Sequence, residues 1–344
     1  MSLQKHFENF NDKIRVDYDT KAELAEKRDI LTDKLKKNDD LPAFETLNQG
    51  SYSMYTGVEP VDGKEYDIDI GLRFDVNKDD YDPMNLKQKV YDILKNHTDL
   101  GAEIKKPCVT VTYKKDGEAA YHADLVIYVY EDSDNHDSQL YLARGKNAEN
   151  AEWEKSDPKG LTDYINEAVE DKDDRKQFRR VIRYLKRWKN IKFDSSGHAE
   201  PSSIGITLIA ADHFKPSSNN GQYSDLDALI SLVEEMNDLF EYECTSESGR
   251  DLYRTRYPMP SDLDFGSDTD AFNKMTDTQM TDFKEKAEKL LRDLNAVRDE
   301  ADEVKQCEKL RKIFGDDFEV PEAKQVSKQQ YNFIPASSAS GADC

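Results

Sequence analysis

The 344 residues suffice for two ordinary domains with buried cores, and 37% hydrophobic with 10% aromatic content excludes wholesale disorder. The 71 acidic against 49 basic side chains leave a formal charge of −22, which repels a phosphate backbone and excludes long duplex nucleic acid as a partner. No run approaches the roughly 18 apolar residues of a membrane span, the N-terminus is polar, and Cys108, Cys244, Cys307 and Cys344 are too scattered for a zinc site or disulfide framework, so a soluble, cytoplasmic protein is expected.

Residues 4–37 place Phe7, Phe10, Ile14 and Val16, then Leu24, Ile30, Leu31 and Leu35, at helical spacing. That predicts one long helix or two close ones, stopped by Asn38-Asp39-Asp40 and Pro42. A Gly50-Ser51 turn and a short segment follow. After an Asp62-Gly63 turn, the alternation of YDIDIGLRFDV from Tyr66 predicts a strand. Leu86, Val90, Ile93 and Leu94 mark a helix over 84–97. VTVTY (109–113), Asp116-Gly117 and YHADLVIYVY (121–130) read as a hairpin. Residues 131–160 read as polar loop, and helices are expected near 161–170, 174–192, 202–214, 225–240 and 268–314. YPMPSDLDFGSD, with Tyr257, Pro258 and Asp262, reads as an ordinary inter-helix loop, with reach over a bound base as its second reading. The small, polar residues after Pro335 predict a disordered tail. Strands early and helices late make this an α+β chain.

The constellation that points to chemistry is Gly50-Ser51, then Asp67-x-Asp69, then Asp124. Alternation sets Asp67 and Asp69 on one face of their strand, about 7 Å apart along the backbone. Asp124 interrupts a strand whose other face, Tyr121, Ala123, Leu125, Ile127 and Val129, is fit for a core. Carboxylates so placed are costly without a positive charge between them, and a divalent cation with hard oxygen ligands suits them. Pairing the two strands would gather three carboxylates around a two-metal site for phosphoryl transfer. The Gly-Ser turn adds backbone N–H groups and a hydroxyl for phosphate oxygens. Residues 175–192 supply nine basic side chains around an apolar stripe of Ile182, Leu185 and Trp188, a basic face in an acidic chain.

QGSYSMYTG (49–57), YDIDIGL (66–72) and HADLVIYV (122–129) together resemble the signature of the polymerase β-like nucleotidyltransferases. A long helix before the Gly-Ser turn, and RRVIRYLKRWKNIK followed by EPSSIGITLIAADHF, resemble its cGAS/DncV-like branch, the bacterial cyclic oligonucleotide synthases of anti-phage systems. The resemblance implies a catalytic nucleotidyltransferase lobe with a mixed sheet over 1–160, bridged by the long N-terminal helix to a helical lobe of the oligoadenylate synthase type over 161–320, with a terminal segment over 321–344. It also implies Asp67, Asp69 and Asp124 as ligands of two Mg²⁺ or Mn²⁺ ions, and Gln49, Gly50 and Ser51 at the triphosphate of ATP or another ribonucleoside triphosphate. Lys186 or Lys189, with Ser202 or Ser203, would meet the β and γ phosphates. The product would be a cyclic di- or trinucleotide second messenger. Regulatory or C-terminus-conjugating protein partners are implied by the tail ending Gly341-Ala342-Asp343-Cys344. Two other readings stand beside this one: a nucleotidyltransferase acting on RNA, protein or a small molecule, and a catalytically silent nucleotide sensor.

Overall fold

The computed structural model describes residues 2–61, 65–115, 118–194, 196–265 and 270–322. The expected Asp62-Gly63 and Asp116-Gly117 turns and the tail lie outside them.

The N-terminal region takes the two-helix form, α1 (Leu3–Ile14) and α2 (Tyr18–Lys36). Asp17 sets the break: its carboxylate accepts the Thr20 N–H at 2.7 Å and caps α2. The break lets the helices serve different cores. Phe7, Phe10 and Ile14 enter one cluster of buried side chains, whereas Leu24, Leu31 and Leu35 enter another.

The second cluster belongs to a seven-stranded sheet. Its strands are β1 (Phe44–Asn48), β2 (Tyr66–Asn77), β3 (Ala102–Ile104), β4 (Val109–Lys115), β5 (Glu118–Tyr130), β6 (Leu140–Arg144) and β7 (Glu152–Ser156). Their order is β1-β2-β5-β4-β3, with β6 joining β5 and β7 joining β6. Pairing of β2 with β5 is parallel, and such a pairing needs a long crossover. The intervening chain supplies it through α4 (Pro83–Leu94), β3 and β4, whereas α3 (Gly50–Ser53) lies ahead of β2. Leu86, Val90 and Leu94 of α4 join Leu125, Ile127 and Val129 of β5 in that core. The stretch 131–160 is therefore not loop throughout. β6 and β7 are five residues each, and β7 is an edge strand of sequence EWEKS whose charges mask its strand character.

The first cluster is built by α1 with α5 (Pro158–Glu167), α6 (Lys172–Lys192), α7 (Ser203–His213), α8 (Asp225–Asp238), α9 (Asp277–Arg298) and α10 (Glu303–Phe314). The stretch expected as one helix over 268–314 is two, because Asp302 accepts the Lys305 N–H at 3.0 Å and starts α10 afresh. Two small hairpins, Ser218–Tyr223 and Glu241–Arg254, were not expected. The axis of this half is α6. Phe178, Val181, Ile182, Leu185 and Trp188 recur at three- and four-residue steps and are all buried. Phe7 and Phe10 of α1 lie 5.3 and 5.4 Å from the Tyr184 ring, which fixes α6 against the N-terminus.

Candidate active site

The parallel register of β2 and β5 places Asp69 directly opposite Asp124 and Asp67 opposite His122. Alternation keeps Asp67 and Asp69 on one face, while Ile68 and Ile70 enter the sheet core on the other. Asp69 is enclosed; burial first, then the charges of Asp124 and Asp67, lift its carboxyl to about 7, against the pull of Lys186. Asp67 is also raised, by burial and then by Asp124, although its side chain still reaches solvent at the cavity wall. His122 and Lys105 partly offset that rise. The Thr110 hydroxyl donates to Asp124 Oδ1, and His122 Nε2 pairs with Glu65 Oε2 at 2.6 Å.

Gly50 opens α3 with φ +67°, a conformation costly for a side-chain-bearing residue. A Cβ there would fall 1.9 Å from Asp69 Oδ2. Backbone and carboxylate thus touch at a point where only hydrogen fits. Gln49 precedes the turn, and its Oε1 accepts from the Tyr128 hydroxyl of β5 at 3.0 Å, tying the turn to the strand that carries Asp124.

These groups border a cavity of about 850 Å³ between the sheet and α6. Asp67, Asp69, Asp124, Gln49, Gly50, Ser51, Lys186, Lys189 and Ser203 all line it. Ser202 does not: its hydroxyl caps α7 at the Gly205 N–H (3.0 Å) and donates to the Ala271 carbonyl (2.6 Å). Lys186 donates to the Thr56 hydroxyl and carbonyl at 2.9 and 3.2 Å. Burial, then Lys189 and Arg183, lower its pKa to about 7. Lys189 meets Ser203 Oγ at 2.9 Å and Glu200 at 2.7 Å.

The nine cations of 175–192 do not form one basic face. Arg180 is bound to buried Asp225, Arg187 faces Asp317, Arg179 lies over the Tyr55 ring, and Lys192 holds the Lys312 carbonyl. Of the nine, Arg183, Lys186 and Lys189 reach the cavity. Two further cations there, Arg15 and Lys21, carry no local signal in the sequence, because only tertiary packing brings the α1–α2 junction to this wall. The proline-punctuated loop buries Tyr257, whose hydroxyl donates to Asp212, so that tyrosine is structural. Phe265, at the end of the same loop, is the residue that borders the cavity.

Among the described residues, no three His, Cys, Asp or Glu side chains already stand as a closed cage for a metal ion. The donor set nevertheless suits magnesium: hard carboxylate oxygens, two of them in direct register, at a wall where burial and mutual repulsion leave the carboxylates lacking a counter-charge.

Residues 1–168 match the Second Messenger Oligonucleotide or Dinucleotide Synthetase domain family. The chain is 31% identical over 175 residues to a cyclic GMP-AMP synthase of Escherichia albertii, covering 48% of this chain and 36% of that protein. It is 26% identical over 202 residues to a c-di-GMP synthase of Roseivirga ehrenbergii, covering 51% and 50%. It therefore spans half or less of the length of these curated relatives. In fold it is similar to the Bradyrhizobium diazoefficiens CD-NTase CdnG solved with GTP, with TM-score 0.68, 15% identity, and 92% of this chain and 97% of that one covered. The Vibrio cholerae cyclic AMP-GMP synthase DncV matches at TM-score 0.60 and 19% identity, covering 80% and 70%.

Proposed function

We propose that the chain is a cGAS/DncV-like nucleotidyltransferase, a reading its N-terminal domain match and its fold support, and that it joins ribonucleoside triphosphates into a cyclic di- or trinucleotide second messenger, releasing pyrophosphate, within anti-phage signalling. The observation that carries the reading is the packing of Gly50 against Asp69, itself in register with Asp124. It sets phosphate-binding backbone beside a carboxylate cluster at one wall of a nucleotide-sized cavity.

In this reading Asp67, Asp69 and Asp124 hold two magnesium or manganese ions. When bound, the metal makes the attacking hydroxyl more acidic and offsets charge on the leaving pyrophosphate. The residues do the rest by position. The N–H groups and hydroxyl at Gly50-Ser51 orient the triphosphate. Asp124, steadied by Thr110, faces the incoming hydroxyl. Lys186, whose pKa burial and then Lys189 and Arg183 lower to about 7, is held more firmly in its charged form as phosphate approaches. A ribose hydroxyl of one nucleotide attacks the α-phosphorus of the other; a P–O bond forms, the bond to pyrophosphate breaks, the hydroxyl proton is released, and one further such step for a dinucleotide, or two for a trinucleotide, closes the ring.

The test is incubation of the purified chain with the four labelled ribonucleoside triphosphates and Mg²⁺ or Mn²⁺, followed by phosphatase treatment and mass analysis. A phosphatase-resistant product without free ends is expected, lost in Asp67→Ala and Asp69→Ala. Open-ended chains would instead make this an RNA-extending transferase, and absence of metal-dependent pyrophosphate release would favour the silent sensor.

A further inference from the structure

One wall of the cavity is cationic for a reason the three aspartates do not explain. Arg15, Lys21 and Arg183 line it together. They come from the α1–α2 junction and from the turn of α6 that precedes Lys186. The wall adjoins the Gly-Ser turn: a Cβ on Gly57 would lie 3.2 Å from Val16 Cγ2 and 3.7 Å from Ser51 Oγ, so Gly57 is the spacer between Ser51 and the α1–α2 junction.

Each cation is short of neutralising partners. Arg183 is held in place by Asn11 Oδ1 at 2.8 Å and the Tyr55 carbonyl at 2.7 Å, both neutral, and its Nε is buried without a partner. Tyr55 itself takes a left-handed φ of 56°. Lys21 makes no side-chain hydrogen bond to any described residue. It stands in the first turn of α2, where the helix dipole disfavours a cation. Its pKa is lowered by burial, then by Arg183 and Arg15, and the attraction of Asp17 is the weakest of the four influences. Among the described residues Arg15, at the rim, has only an exposed pairing with Asp12 at 3.4 Å. In a chain of charge −22, three cations that line one wall, with no buried acid paired to any of them among the described residues, form a site that an anion would stabilise. Lys189, by contrast, is already engaged by Glu200 and Ser203.

We infer that Lys21 and Arg183, with Arg15 at the rim, form a polyphosphate subsite that holds the terminal phosphates of the donor triphosphate and retains the pyrophosphate as it leaves. The inference rests on the reading that the cavity takes a nucleoside triphosphate. In the transfer step the α-phosphorus loses its bond to the bridging oxygen, and the electron pair moves onto pyrophosphate. Cations fixed at the far end of that leaving group stabilise the charge it gains.

Inorganic tripolyphosphate binding to the full-length, metal-free chain tests the subsite without any turnover. Titration calorimetry at pH 7.5 is expected to show Lys21→Gln and Arg183→Gln each weakening binding about tenfold. Lys176→Gln, which removes an exposed charge of the same helix, should bind as the parent does. Equal affinity in all four proteins would overturn the subsite, whatever the enzyme proves to make. Because Arg183 also ties α6 to Asn11 and Tyr55, a melting curve accompanies each variant, and Lys21→Gln, free of such ties, keeps the test decisive. Turnover then identifies the phosphate's owner. Slowing of Lys21→Gln with both a triphosphorylated acceptor and a plain nucleoside acceptor supports the leaving-group end. Slowing confined to the triphosphorylated acceptor would transfer the subsite to the acceptor and overturn the assignment made here.

Discussion

Between about pH 4 and pH 7 the folded chain keeps a proton on Asp69 that the unfolded chain has released. The native state then binds more protons than the unfolded one, so this carboxyl's contribution to stability falls as pH rises through that window. Lys186 runs the other way: from about 7 to about 10 the unfolded chain holds the extra proton, and stability from this group rises with pH. Asp69→Asn is expected to melt above the parent in EDTA at pH 8 and to lose that advantage near pH 4; a difference independent of pH would contradict the buried ionisation. Gly50→Ala tests the neighbouring contact. With φ at +67° and Asp69 Oδ2 1.9 Å from the added carbon, the turn or the carboxylate must move. A displacement of that order is expected to lower kcat about 100-fold, as steady-state pyrophosphate release would measure. An unaltered kcat would remove Gly50 from the machinery.

Helix α6 does two kinds of work along its length. Toward its N-terminal half, Asp225 is wholly buried and receives Arg180 at 2.7 and 2.8 Å, the Tyr184 hydroxyl at 2.9 Å and Gln177 at 3.2 Å. This network locks α6 to α8 and accounts for one of the nine basic side chains of the 175–192 segment. Asp225→Ala leaves a guanidinium uncompensated and is expected to cost about 3–5 kcal/mol in urea unfolding. A loss under about 1 kcal/mol would mean that water replaces the carboxylate. One turn further on, Arg183 and Lys186 turn to the cavity and clamp Tyr55 and Thr56, the residues just beyond the Gly-Ser helix. The same helix therefore positions both the cationic wall and the segment that leads from the Gly-Ser turn.

At the scale of the molecule, the sheet core and the helical core are separate clusters, and α1 and α2 divide between them. The cavity takes residues from both sides, so a bound nucleotide would bridge them. A non-hydrolysable triphosphate with Mg²⁺ at about 100 times its Kd is expected to add roughly 2.7 kcal/mol of stability, seen as a rise in Tm. The metal-dependent part of that rise should vanish when Asp67 and Asp69 are both changed to Asn. Its persistence would place the metal elsewhere.

The sequence by itself determined the strands that carry Asp67, Asp69 and Asp124, because two-residue alternation is a local property that the pleat enforces. It determined α4 and, apart from the break between α9 and α10, the helices of the second half for the same reason, at a period of 3.6. It left β6 and β7 unseen, since five-residue strands with a charged edge owe their conformation to pairing partners rather than to their own pattern. It did not decide between one N-terminal helix and two, which turned on the cap at Asp17. Nor could it sort the nine cations of α6. A helix projects its side chains in every direction, and only packing against α1, α8 and the Gly-Ser turn decided that Arg180 meets a buried acid while Arg183 and Lys186 face the cavity. The meeting of Lys21 with Arg183 was decided in tertiary structure alone, because charges 162 positions apart carry no local record of one another.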